Sequence, residues 1–148
     1  MRKAYFVVTV LLLISVVFQF YFAALGVFGP QGEDDNLFGF HQINGRMVLP
    51  PLSLLAVILA ALARAGARTV WLTALPILLI VVQYLLFIVG GLIGGGTEDN
   101  PTVGSAVILG LHAVNGLAIM GTIITLMGRA RRRAFGAPEN ADGTPTAA

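Results

Sequence analysis

Residues 4–32, AYFVVTVLLLISVVFQFYFAALGVFGPQG, run for 29 positions without a charged side chain. At about 1.5 Å per residue, a helix over this stretch exceeds the roughly 30 Å hydrocarbon core of a bilayer. Two further uncharged runs of the same length occupy 69–97 and 100–128. A fourth apolar stretch, from about Phe38 to Ala63, is long enough to cross but carries His41 and Arg46. Alternating topology makes it a span as well. The reading is all-α: a polytopic, four-helix transmembrane bundle with helices at about 4–28, 37–63, 70–93 and 103–128. The first run is about twice as long as a leader's apolar region of roughly 7 to 15 residues. It also holds Gln19 and bulky aromatics near its end, so it reads as a span rather than a cleaved signal.

Composition agrees. Of 148 residues, 57% are hydrophobic and 11% charged, against about 25% charged in an average soluble domain. Nine basic and seven acidic side chains cannot cover a soluble fold of this size, so lipid must solvate much of the exterior. The length allows one domain. The absence of cysteine excludes disulfides, thiolate metal sites, iron–sulfur clusters and a Cys nucleophile. There is no His-Glu-x-x-His, no Ser-His-acid pattern and no acidic residue inside a span. Nothing in the chain reads as a hydrolase.

Charge placement sets orientation, because Lys- and Arg-bearing loops stay cytoplasmic. Arg2 and Lys3 precede the first span, Arg64 and Arg68 bracket the turn between the second and third, and Arg129, Arg131, Arg132 and Arg133 follow the fourth. The opposite loops hold Glu33, Asp34, Asp35, Glu98 and Asp99 and no basic residue. Both termini are therefore expected on the cytoplasmic side of the cell membrane. Residues 134–148, rich in Ala, Gly, Pro and Thr, are expected to form a disordered cytoplasmic tail. The four arginines read as a topology anchor and an anionic-lipid contact rather than a nucleic-acid site.

The two halves share polar features in one order: an intramembrane Gln, an acidic loop, then His-x-x-Asn-Gly. The first set is Gln19, Glu33 to Asp35, and His41, Asn44, Gly45; the second is Gln83, Glu98 and Asp99, and His112, Asn115, Gly116. The motifs contain the only two histidines of the chain. This reads as an internal repeat of two tandem helical hairpins, related by an axis along the membrane normal.

In an up-down bundle with short loops, the second and fourth helices oppose each other across a diagonal, so His41 and His112 should face one another. Positions i, i+3 and i+4 share a helix face, which places Asn44 with Gly45 and Asn115 with Gly116 beside the imidazoles. The Asn residues can hydrogen-bond, and the Gly residues offer room for a planar group. Two imidazoles meeting from opposite helices is the arrangement of a bis-histidine b-type haem, which implies electron transfer or haem handling and a redox partner or membrane complex. A bare metal ion is the weaker option, since two His alone are a thin ligand set; a quinone or lipid is a further one. Gln19 and Gln83 read as partners that orient an imidazole or as helix-pairing contacts. The competing class is a structural or accessory membrane protein without cofactor, its His, Asn and Gln serving as interhelical hydrogen bonds.

Two features complicate the site. His112 lies about 15 Å into its helix and His41 only about 6 Å, a mismatch of depth. Arg46 breaks the symmetry, Leu117 standing at the equivalent place; it is expected near a haem propionate, near the outer carboxylates, or snorkelling to headgroups. Pro50 and Pro51 should kink the helix just below it.

On the doubled His-x-x-Asn-Gly and the preceding Gln, residues 4–128 resemble an uncharacterised family of small four-helix integral membrane proteins common in bacteria. More distantly they resemble one half of haem A synthase, whose four-helix halves place paired histidines on facing helices. His41 and His112 match those positions in role. The acidic and arginine-rich signature on which the synthase's chemistry depends is missing here, so haem-modifying activity is not implied, and the resemblance bears on the fold more than on the function.

Overall fold

The computed structural model describes residues 1–30, 37–94 and 102–136, which are almost wholly helical, with no strand among them. Four helices long and apolar enough to cross a membrane carry the chain: α1 Arg2–Phe28, α2 Phe38–Leu62, α3 Ala67–Ile93 and α4 Val103–Phe135. In hydrocarbon every backbone N–H and C=O must be bonded within the chain, and a continuous helix does so locally. Side chains such as Val17, Leu54, Leu78 and Val114 lie exposed along all four. Exposed apolar surface on this scale suits lipid rather than water.

Local chemistry sets the ends. α2 closes in a Schellman turn, with Ala65 N–H bonding Ala60 O and Arg64 N–H bonding Ala61 O, Arg64 taking the left-handed position at φ 51°. Gly66, at φ 80° and ψ 147°, adopts backbone that only glycine takes readily. It launches α3 at Ala67, three residues before the expected start. α4 opens on a capping box in which the Ser105 N–H bonds Thr102 Oγ1 and the Thr102 N–H bonds Ser105 Oγ. It runs to Phe135 rather than ending near 128. Arginines in the last turn favour the helix's negative end, and Phe135 docks edge-on against Phe6 with centroids 5.4 Å apart. The rest of the expected tail, 137–148, lies outside the described residues.

Inside α2, residues Asn44–Val48 form a π-helical turn, and Leu49 N–H reaches back to Asn44 O. Pro50 and Pro51 follow and have no N–H to donate, so carbonyls of the preceding turn lose their helical partners. Tyr84 of α3 supplies one substitute, its hydroxyl lying 3.4 Å from Gly45 O.

The helices pack as a ring in chain order, α1 against α2 and α4, α3 against α2 and α4. Among the described residues no Cα of α1 comes within 8 Å of α3, and none of α2 within 8 Å of α4. These pairs are the diagonals. The bundle is closed at the end bearing both termini, around Leu12, Val16, Ala56, Ile80, Ile119 and Ile123, with Tyr5, Ala60 and Ala130 below them. The Tyr5 hydroxyl and Thr73 Oγ1 hydrogen-bond there at 2.8 Å.

The other end is open. No residue of α1 past Val16, of α2 before Asn44, of α3 past Ile80 or of α4 before Ile119 is buried. Residues 38–48 of α2 have neither α3 nor α4 within 8 Å, Cα to Cα; their neighbouring helix is α1. The hairpins still touch in this half through side chains, Phe20 against Gly116, Tyr84 toward Gly45 and His41 against His112.

Candidate functional site

Each hairpin is tied by the same three hydrogen bonds. In the first, Gln19 Nε2 donates to His41 O at 3.0 Å, Asn44 Nδ2 to Gln19 Oε1 at 2.7 Å, and Asn44 Nδ2 to Ser15 O at 2.9 Å. In the second, Gln83 Nε2 donates to His112 O at 2.9 Å and Asn115 Nδ2 to Leu79 O at 2.8 Å, and Asn115 Nδ2 also donates to Gln83 Oε1. Ser15 and Leu79 each stand four residues before their Gln, one helical turn away on the same face. The first clasp has one bond more, from Ser15 Oγ to Asn44 Oδ1 at 2.8 Å. Leu79 has no equivalent. The four amides are thus occupied in joining α1 to α2 and α3 to α4, and Asn44 is 8% exposed.

Above the clasps the imidazoles of His41 and His112 meet across the α2/α4 diagonal, ring centroids 6.0 Å apart and planes inclined at 56°. Phe38 flanks His41 at 5.0 Å and Phe87 flanks His112 at 4.7 Å. The expected mismatch of depth dissolves because the helix ends differ, not the levels of the rings. Each motif is pinned to the Gln of the preceding helix, and α4 begins nine residues before its His while α2 begins three before.

The partners of the ring nitrogens set the tautomers. His41 Nδ1 lies 2.9 Å from Gln19 O; a carbonyl only accepts, so Nδ1 carries the proton and Nε2 presents a lone pair. His112 Nδ1 lies 2.5 Å from Gln83 Nε2. That amide nitrogen is fixed as the donor because the same group donates to His112 O while its oxygen accepts from Asn115. His112 Nδ1 is then the acceptor, and its Nε2 carries the proton. One ring is left with an acceptor nitrogen and the other with a donor. No cluster of three or more His, Cys, Asp or Glu that could hold a metal ion exists among the described residues.

The remaining expected site residues sit elsewhere. A Cβ on Gly45 would lie 2.8 Å from Gln19 Nε2, so the space this glycine leaves is filled by the clasp rather than kept for a ligand. Gly116 faces Phe20, whose ring would stand 3.4 Å from an added Cβ. Arg46 is exposed and points roughly away from buried Asn44, two residues before it. The outer carboxylates expected to pair with it lie outside the described residues. Ser15, Tyr84, Phe38 and Phe87 were not anticipated. Ser15 and Phe38 carry a spacing signal, one turn before Gln19 and before His41 on the same faces; Tyr84 and Phe87 stand among many apolar neighbours and carry none.

Residues 19–90 are similar to a family described as of unknown function (DUF6220). The matched segment opens at Gln19, contains His41, Asn44 and Gly45 and runs past Gln83. No curated protein and no solved structure matches the chain.

Proposed function

We propose that this small protein with four membrane spans holds a b-type haem between His41 and His112 and serves electron transfer or haem handling. The observation that carries the reading is the separation of the imidazoles. With a metal–nitrogen bond of about 2 Å, two rings on opposite sides of one metal are centred roughly 6 to 6.5 Å apart, and these stand at 6.0 Å. His41 has a ligand's surroundings: its Nδ1–H donates to a carbonyl, which fixes the ring and leaves Nε2 for iron. His112 fits once its proton moves from Nε2 to Nδ1, which requires the Gln83 amide to turn so that it accepts and to give up its bonds with His112 O and Asn115. A haem at this place would supply one-electron chemistry. Phe38 and Phe87 would keep water from its edges, and the first clasp would hold His41 in place. The three shared hydrogen bonds support a duplicated hairpin, and the arginine distribution supports cytoplasmic termini with the histidine pair in the outer half.

A second reading draws on the tautomers. A donor on His112 and an acceptor on His41 suit an uncoloured polar headgroup, such as that of a quinone, entering between the hairpins. Titrating haemin into the detergent-purified protein separates the two. The haem reading predicts a Soret band that sharpens and saturates at one haem per chain. No spectral change, together with thermal stabilisation by a short-chain quinone that both histidines are needed for, would replace it with the second.

A further inference from the structure

At the other end of the bundle, a cavity of about 340 Å³ is lined by Thr69, Arg129, Arg132 and Arg133. Positions 129, 132 and 133 lie at i, i+3 and i+4 on one face of α4, and Thr69 stands in the first turn of α3. The guanidinium of Arg133 reaches toward the turn that starts α3, with Nη2 3.9 Å from where a Cβ of Gly66 would be. Thr69 is 5% exposed, and its hydroxyl has no hydrogen-bond partner among the described residues. All seven carboxylate side chains of the sequence lie outside the described residues. Three like charges around one cavity repel each other, and a fixed anion would remove that cost.

We infer that this cavity binds a phosphate group, held by Arg129, Arg132 and Arg133 with Thr69 donating from the floor. Guanidinium forks match phosphate oxygens in geometry as well as charge. The level is right for the phosphodiester of an anionic lipid. Arg129 follows directly on the uncharged run 100–128, and Thr69 opens the uncharged run 69–97, so both walls stand where the apolar spans give way to headgroups. This site is independent of the histidine pair and of what that pair binds.

The test uses the full chain in a neutral detergent, read by native mass spectrometry and by thermal unfolding. Phosphatidylglycerol, phosphatidylcholine and inorganic phosphate are added in separate arms. The expected result is one retained phosphatidylglycerol per chain and a raised unfolding temperature, with phosphatidylcholine ineffective. Arg132→Gln should weaken this about tenfold, the loss of one charge-assisted contact, and R129Q/R133Q should abolish it. R2Q/R131Q, which removes as much charge away from the cavity, should retain it. Equal stabilisation by inorganic phosphate would keep the site and assign it a soluble phosphate instead of a lipid. Equal losses in the two double variants would overturn the proposal in favour of diffuse attraction. Lipid retention that appears only in E139Q/D142N would also overturn it, by showing that the chain's own carboxylates fill the cavity.

Discussion

The imidazoles of His41 and His112 stand 6.0 Å apart across the α2/α4 diagonal, and neither ring is placed by its own helix alone. The backbone carbonyl of His41 accepts from Gln19 and that of His112 from Gln83, at 3.0 and 2.9 Å. Each hairpin therefore sets the height of its own histidine. The closed core below, shared by all four helices, brings the two hairpins into register. The polar residues divide into two jobs: amides that clasp, and imidazoles that meet across the diagonal.

The clasps should carry stability, and the first should carry more. Asn44→Ala removes three side-chain bonds and leaves Ser15 Oγ without its acceptor; Asn115→Ala removes two. Interhelical bonds of this kind contribute about 0.6 to 2 kcal/mol each in membranes. Thermal unfolding in detergent should show both variants destabilised, Asn44→Ala the more. Equal effects would mean that the additional bond from Ser15 contributes nothing.

The two motif glycines should differ sharply. A methyl at position 45 would meet Gln19 Nε2 at 2.8 Å, whereas one at 116 would meet Phe20 at an ordinary 3.4 Å. Gly45→Ala must displace the clasp and should cost about 1 to 3 kcal/mol, as overpacking does. Gly116→Ala should be near neutral or slightly stabilising, since alanine is the better helix former. Parallel melts of the two variants compare them directly, and a neutral Gly45→Ala would contradict the assigned packing of Gln19.

The tautomers are measurable before any ligand is added. Nitrogen-15 chemical shifts at neutral pH should report His41 protonated on Nδ1 and His112 on Nε2. Gln83→Leu removes the donor that faces His112 Nδ1 and should shift that ring toward a mixture while leaving His41 unchanged. Identical tautomers in the wild-type protein would remove the donor–acceptor asymmetry of the histidine pair.

Much of this architecture is legible in the residues. Three long uncharged runs and a fourth apolar stretch that carries Arg46 give four spans because hydrocarbon tolerates little else, and the repeated Gln, His and Asn residues lead to the diagonal on which the imidazoles meet. What the residues conceal has physical causes. Arg129 to Arg133 read as the end of a span, yet cations at a helix's C-terminal end favour its continuation, and α4 runs through them to Phe135. His41 reads as shallow because its helix begins three residues before it, whereas α4 begins nine residues before His112. Gly45 reads as room for a ligand, but its space goes to the side chain of Gln19, a contact between helices that no local spacing encodes. The π-helical turn depends on Pro50 and Pro51 withholding donors while Tyr84 reaches across from α3. The expected likeness to half of a haem A synthase has no support among curated proteins or solved structures, none of which matches.

The most direct test of the central claim is the absorption spectrum of the protein purified after expression with added haem precursor, oxidised and then dithionite-reduced, beside His41→Ala and His112→Ala. Haem held by both histidines predicts a sharp low-spin α-band on reduction that is lost in each variant, while both variants keep the helicity and unfolding profile of the parent. A colourless parent, or a band that survives removal of either histidine, would contradict it.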